Sequence, residues 1–146
     1  MKRKIITFKK ELKGNKVEEP EAIYYSLNQM RLTKEFTFNE FKKIADTVEL
    51  TQKEWSDILH ISERTLQRYA KDNSAFNFSV IDRILLIEKV IKKGVDVFGN
   101  ANDFINWLKQ EPSSIEGKLH FGFLASFDGT FKILNQLGRI EHGILA

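Results

Sequence analysis

The sequence predicts an all-α chain in two parts, and three observations carry that expectation. Apolar residues recur at helical spacing along most of the chain beyond residue 37. Threonine or serine stands at the start of successive apolar runs, where a side-chain oxygen satisfies the orphan amides of a first helical turn. Two prolines and eight glycines are the few strong breakpoints among 146 residues.

Taken in order, Met1–Val17 has no clean period and reads as an extended arm. Pro20 opens a helix towards Met30, since proline in a first turn lacks only an N–H that had no partner there. Thr37-Phe38-Asn39-Glu40 fits a capping box, followed by Phe38, Phe41, Ile44, Ala45 and Val48 at helical spacing. Thr51-Gln52-Lys53-Glu54 is a second box, opening a helix that buries Trp55, Ile58 and Leu59. Ser62 begins a third helix with Leu66 and Tyr69 facing inward. Asn73–Asn77 breaks the pattern and marks the boundary between the parts.

From Val80 a long helix resumes, with Val80, Ile84, Ile87, Ile91, Val95 and Phe98 forming one apolar stripe. Gly99 is placed to stop it. A short helix follows around Ala101–Lys109, and Pro112 ends that element. Ser113–Ala125 reads as loop, and a final helix runs from about Ser126 to Ile140. The organisation is thus an arm with a short helix over 1–30, a helical domain over 31–76, and a small mainly helical domain over 77–146.

Composition narrows the function classes. Hydrophobic residues make up 42% and charged residues 29%, which is globular usage. With no cysteine, a disulfide scaffold is impossible, and His60, His120 and His142 are too scattered for a structural zinc site. The apolar run near the N-terminus is too short for a secretory signal, and none reaches the length of a membrane span. A cytoplasmic protein with no membrane association is expected. Catalytic constellations are missing too: there is no Gly-x-Ser-x-Gly, no phosphate-cradling glycine loop, no His-Glu-x-x-His and no cysteine nucleophile. The expectation is a non-enzyme with no cofactor and no metal.

The net charge is +3, and residues 1–30 hold all of the surplus, with seven Lys/Arg against four acids. Thr51–Asp72 carries four basic and four acidic residues. Its two short helices nevertheless have the layout of a helix-turn-helix, in which a first helix clamps a second that presents its N-terminal turn. With Leu66 and Tyr69 inward, Glu63, Arg64, Thr65, Gln67 and Arg68 are left to face outward. Arginine donates twice to guanine, glutamine bonds adenine through both amide atoms, and threonine touches a thymine methyl or bonds several bases. Gln52, near a helix start, is placed for a phosphate contact that fixes register, and Thr51 and Ser62 are counted with it among the DNA-binding residues. The competing reading is an ordinary helical corner with a solvated polar face.

The run from Leu50-Thr51-Gln52 to Ile61-Ser62 resembles the helix-turn-helix of Xre/Cro-type repressors. One departure is His60, at the turn position usually held by glycine. The C-terminal part resembles the toxin-binding domain of the Xre/MbcA/ParS antitoxins. Val97-Phe98-Gly99, Ala101, Trp107-Leu108, Pro112, Gly117, Phe123-Leu124 and Gly129 carry the likeness, followed by the terminal run Leu137 to Ala146. His120 and Gly122 depart from the pattern.

That resemblance implies a type II antitoxin. Its C-terminal domain would neutralise a toxin encoded by a neighbouring gene, often of the RES fold that consumes NAD or transfers ADP-ribose from it. Its helix-turn-helix would repress the shared operon as a homodimer on palindromic operator DNA. Arg139, Ile140, Glu141, His142, Gly143, Ile144 and Leu145 are the expected toxin contacts. In physical terms, aliphatic anchors alternate there with directional polar groups, and Gly138 and Gly143 are placed to loosen the backbone. The plainer alternative is a terminus folded onto its own domain with Arg139 and Glu141 as helix-end charges. A stand-alone repressor whose C-terminal half only dimerises is the competing function.

Overall fold

The computed structural model describes residues 35–143. The basic arm, the helix from Pro20, and Ile144 and Leu145 of the terminal run lie outside the described residues. Within them the chain is helical, apart from one short hairpin.

Helix α1 (Phe38–Ala45), α2 (Gln52–Leu59) and α3 (Glu63–Asp72) come first. The capping box expected at Thr37 does not form, because Thr37 makes no side-chain cap. Thr37 pairs instead with Ala75 in an isolated antiparallel bridge. The Phe38 amide donates to the Ser74 carbonyl at 3.1 Å and the Phe76 amide to the Phe36 carbonyl at 3.0 Å. Around this clamp, Phe41 meets Trp55 edge-on at 5.0 Å, and Tyr69 stacks on Phe76 at 4.4 Å. Such ring pairs contribute about 0.5–1.5 kcal/mol each beyond their burial.

Helix α4 (Phe78–Phe98) begins two residues before the expected Val80, with Asn77 accepting the Val80 amide as its cap. Its burial is wider than one stripe. Ile81, Leu85, Leu86 and Val90 are buried as well as Val80, Ile84, Ile87 and Ile91. A helix that is apolar on most sides belongs in the middle of a core, and α4 is covered by α2 before it and by the helices that follow it. Asp82 and Glu88 are half-buried on its flank. Gly99 ends the helix at φ +89°, a left-handed conformation that glycine adopts without steric cost.

Helix α5 (Ala101–Lys109) packs against α4 through Phe104, which is completely buried. The approach is close. A Cβ added at Gly94 would lie 2.3 Å from Phe104 Cγ, so only glycine admits the ring. Ser113–Ala125 is not the loop expected. It holds the two-residue strands β1 (Ser113–Ser114) and β2 (Gly117–Lys118), paired antiparallel, and a 3-10 helix over Phe121–Ala125. Leu119 and Leu124 anchor this stretch in the core. Helix α6 (Phe127–Glu141) closes the fold against α4, capped by Ser126, whose hydroxyl accepts the Gly129 amide at 3.0 Å.

One continuous hydrophobic core runs from Phe41 to Leu137 through both parts. Polar ties reinforce it: the Glu49 amide donates to Asn102 Oδ1 at 2.8 Å, and Lys109 pairs with Glu54 at 2.5 Å. Among the described residues no helix is long and apolar enough to cross a membrane.

Candidate nucleic-acid interface

The surface in question is built from the start of α2 upward. Thr51 Oγ1 accepts the Glu54 amide at 3.1 Å while Glu54 Oε2 accepts the Thr51 amide at 2.8 Å, the reciprocal box that the sequence predicts. Burial acts to raise the Glu54 pKa. Hydrogen bonds from Lys109 and the Thr51 backbone, with the Lys109 charge, outweigh it and hold the carboxyl below its ordinary value. Trp55, Ile58 and Leu59 are buried, so α2 is fixed to the core on its inner face.

The turn follows at His60, which sits in the left-handed region at φ 55°, ψ 39°. Histidine is among the residues that tolerate this region better than most. The fold therefore keeps the usual turn shape without glycine. The Ile61 amide donates to the Ser56 carbonyl at 3.1 Å, and Ile61 is half-buried in the corner.

Ser62 caps α3. Its hydroxyl accepts the Thr65 amide at 3.0 Å and donates to Thr65 Oγ1 at 2.8 Å. Thr65 thereby retains its own hydroxyl proton for another acceptor. Gln52 Nε2 donates to the Glu63 carbonyl at 3.2 Å and ties the start of one helix to the start of the other. Of the DNA contacts expected at the helix starts, Thr51 and Ser62 are thus capping groups, and Gln52 also acts as a brace.

Leu66 is buried and Tyr69 half-buried, which turns Glu63, Arg64, Gln67 and Arg68 to solvent and leaves Thr65 half-exposed. Arg64, Thr65, Gln67, Arg68, Lys71 and Asp72 line one open depression along α3. Lys71 was not among the expected contacts. Its signal was present, since 64, 68 and 71 recur at the spacing of one helix face.

The even charge count over Thr51–Asp72 conceals a segregation. Asp57 is held by Lys53 at 3.1 Å and Glu54 by Lys109, so the acids of α2 are engaged. Lys42, Lys43, Lys92 and Lys132 also have carboxylate partners. Among the described residues Arg64, Arg68 and Lys71 make no ion pair. Such a face can donate to phosphate and to base edges, with Glu63 the one acid beside its leading turn.

The terminal segment is arranged differently from the loosened tail expected. Gly138 is buried inside α6, and the helix continues through Arg139, Ile140 and Glu141. Helical hydrogen bonding overrides the freedom that glycine offers there. Arg139 and Ile140 are half-buried, and Glu141 is bonded to Lys93 of α4, which lowers its pKa despite some desolvation. His142 caps the helix, and Gly143 turns the chain at φ +69°.

Residues 38–88 match the family model of the antitoxin Xre-like helix-turn-helix domain, a span that includes α1 to α3 and the first half of α4. No curated protein matches the chain. The domain match supports a DNA-binding antitoxin or repressor.

Proposed function

We propose that this chain, whose residues 38–88 match the model of the antitoxin Xre-like helix-turn-helix domain, is the antitoxin of a type II toxin–antitoxin pair. In this reading α3 enters the major groove of operator DNA upstream of the chain's own operon. Arg64, Thr65, Gln67 and Arg68 reach base edges, while Lys71 and the leading turns of α2 and α3 meet phosphates. Two copies, paired through their C-terminal halves, occupy a palindromic site.

The C-terminal half neutralises the toxin encoded next door, and a toxin of the RES fold that consumes NAD or transfers ADP-ribose is the partner proposed. Arg139, Ile140, His142 and Gly143, with Ile144 and Leu145 beyond them, supply the contact. The observation that carries the reading is the cationic face of α3, unpaired among the described residues and set at the right end of a capped, left-handed-turned helix pair inside the matched domain.

Co-expression with the neighbouring gene tests it. Capture of the neighbour's product by the full chain, but not by a chain ending at Gly143 or at Gly138, is the expected result. Capture by neither would favour a stand-alone repressor whose C-terminal half only dimerises. One observation favours that second reading: Glu141 is bonded to Lys93 of its own chain.

A further inference from the structure

The imidazole of His60 is not idle. Its Nε2 lies 2.6 Å from the carbonyl oxygen of Ala125, sixty-five positions along the chain. A carbonyl can only accept, so Nε2 carries the proton. Arg83 of α4 donates Nη1 to the same oxygen. Two donors therefore fill both lone pairs of one acceptor.

The place of that acceptor matters. Ala125 ends the 3-10 helix, and the next residue, Ser126, caps α6 through its hydroxyl while its carbonyl accepts both the amide and the hydroxyl of Thr130. The knot thus joins three bodies: the turn of the helix-turn-helix, the central helix, and the hinge from which α6 departs. Glycine at position 60 would give the same turn with no ring to reach across.

We infer that His60 is a positioning residue, which with Arg83 sets the angle between the recognition helix and the C-terminal half, and thereby the spacing of half-sites that a paired protein accepts. The inference rests on the reading of the chain as a paired operator binder. Two copies meeting through their C-terminal halves transmit any slack at this knot to the separation of their α3 helices. Half-sites lie about one helical turn, roughly 34 Å, apart in such complexes. Each inserted base pair changes both the separation and the rotational phase, so a rigid pair rejects it and a slack pair tolerates it.

The test compares binding of the native operator, the same operator with one base pair inserted between half-sites, and an isolated half-site. Wild type should prefer native over inserted spacing by on the order of tenfold, the size that one or two such hydrogen bonds supply. His60→Gly and His60→Asn keep a residue suited to the left-handed turn but lose the reach, and both should flatten that preference. Half-site affinity should stay unchanged. His60→Gln places an amide nitrogen at similar reach and should restore part of the preference. Arg83→Met removes the second donor away from the turn and should act in the same direction as His60→Gly.

Spacing preference retained in His60→Gly and Arg83→Met, with both folded by circular dichroism, would overturn the inference. So would a wild type that binds the operator without any spacing preference. Failure of wild type to bind any operator DNA would instead reject the functional reading beneath it.

Discussion

The side-chain oxygen of Asn73 accepts the backbone amide of Asn39 at 2.9 Å, so the end of α3 caps the start of α1. Asn73 is also the left-handed cap of α3 itself, at φ 46°. One residue therefore terminates one helix and begins another, and closes the α1–α3 unit into a ring beside the Thr37–Ala75 bridge.

Asn73→Ala should lower stability by about 1–2 kcal/mol, since it removes a cap and the short polar side chain that eases asparagine into a left-handed site. Asn73→Gly loses the cap but suits the backbone and should cost less. Urea midpoints of the two variants check the order. A larger loss in the glycine variant would contradict this account of the ring.

Gly94→Ala is expected to destabilise despite alanine's better helix propensity. The added methyl meets the buried Phe104 ring at 2.3 Å, and overpacking typically costs about 1–3 kcal/mol. The propensity gain is at most about 1 kcal/mol. Pairing it with Phe104→Leu should recover part of the loss relative to the sum of the single changes, as a double-mutant cycle in urea would show.

Gln136 is buried in α6 with its side-chain oxygen unpartnered among the described residues. Gln136→Met keeps the volume and removes the unmet acceptor. It should raise stability by about 1 kcal/mol, read as a higher urea midpoint with an unchanged slope.

Acid should weaken the tie between Glu54 and Lys109. The folded pKa of Glu54 lies below its unfolded value, so the unfolded chain binds more protons as pH falls through the window between them. The stability this carboxylate contributes is full above the ordinary carboxylate value of 4.5. It is lost as pH falls through the lowered folded value. Glu54→Gln should flatten that part of the stability–pH curve, measured by urea midpoints from neutral pH downward.

Local signals in the sequence located most of the fold. The box at Thr51, the serine at 62 and the glycine at 99 each act within their own turn, so α2, α3 and the end of α4 fall where expected. The short helix around Ala101–Lys109 falls where expected. What escaped depends on distant groups. The cap of α1 comes from Asn73 rather than from Thr37, and no window around residue 37 contains it. Strands of two residues, Ser113–Ser114 and Gly117–Lys118, are too short to alternate. The stripe on α4 shows one face of a helix whose other faces are covered by elements from both parts of the chain. In the candidate interface, residue types and facing were legible. The pairing of the α2 acids, the reach of His60 to Ala125 and the continuation of α6 through Gly138 were not, because each depends on how separate helices meet or on hydrogen bonding that overrides local propensity.

The assignment of α3 as the DNA-reading helix is tested by a salt titration of operator binding by wild type and by the Arg64→Ala, Gln67→Ala, Arg68→Ala and Lys71→Ala single variants. Wild type should lose affinity steeply as salt rises, because phosphate contacts release counterions. Base-reading residues should cost about 1–3 kcal/mol each on the native site while leaving random DNA less affected. Lys71→Ala should weaken both alike and reduce the salt slope by about one. Binding that is insensitive to salt and to all four substitutions would contradict the assignment of α3 as the DNA-reading helix.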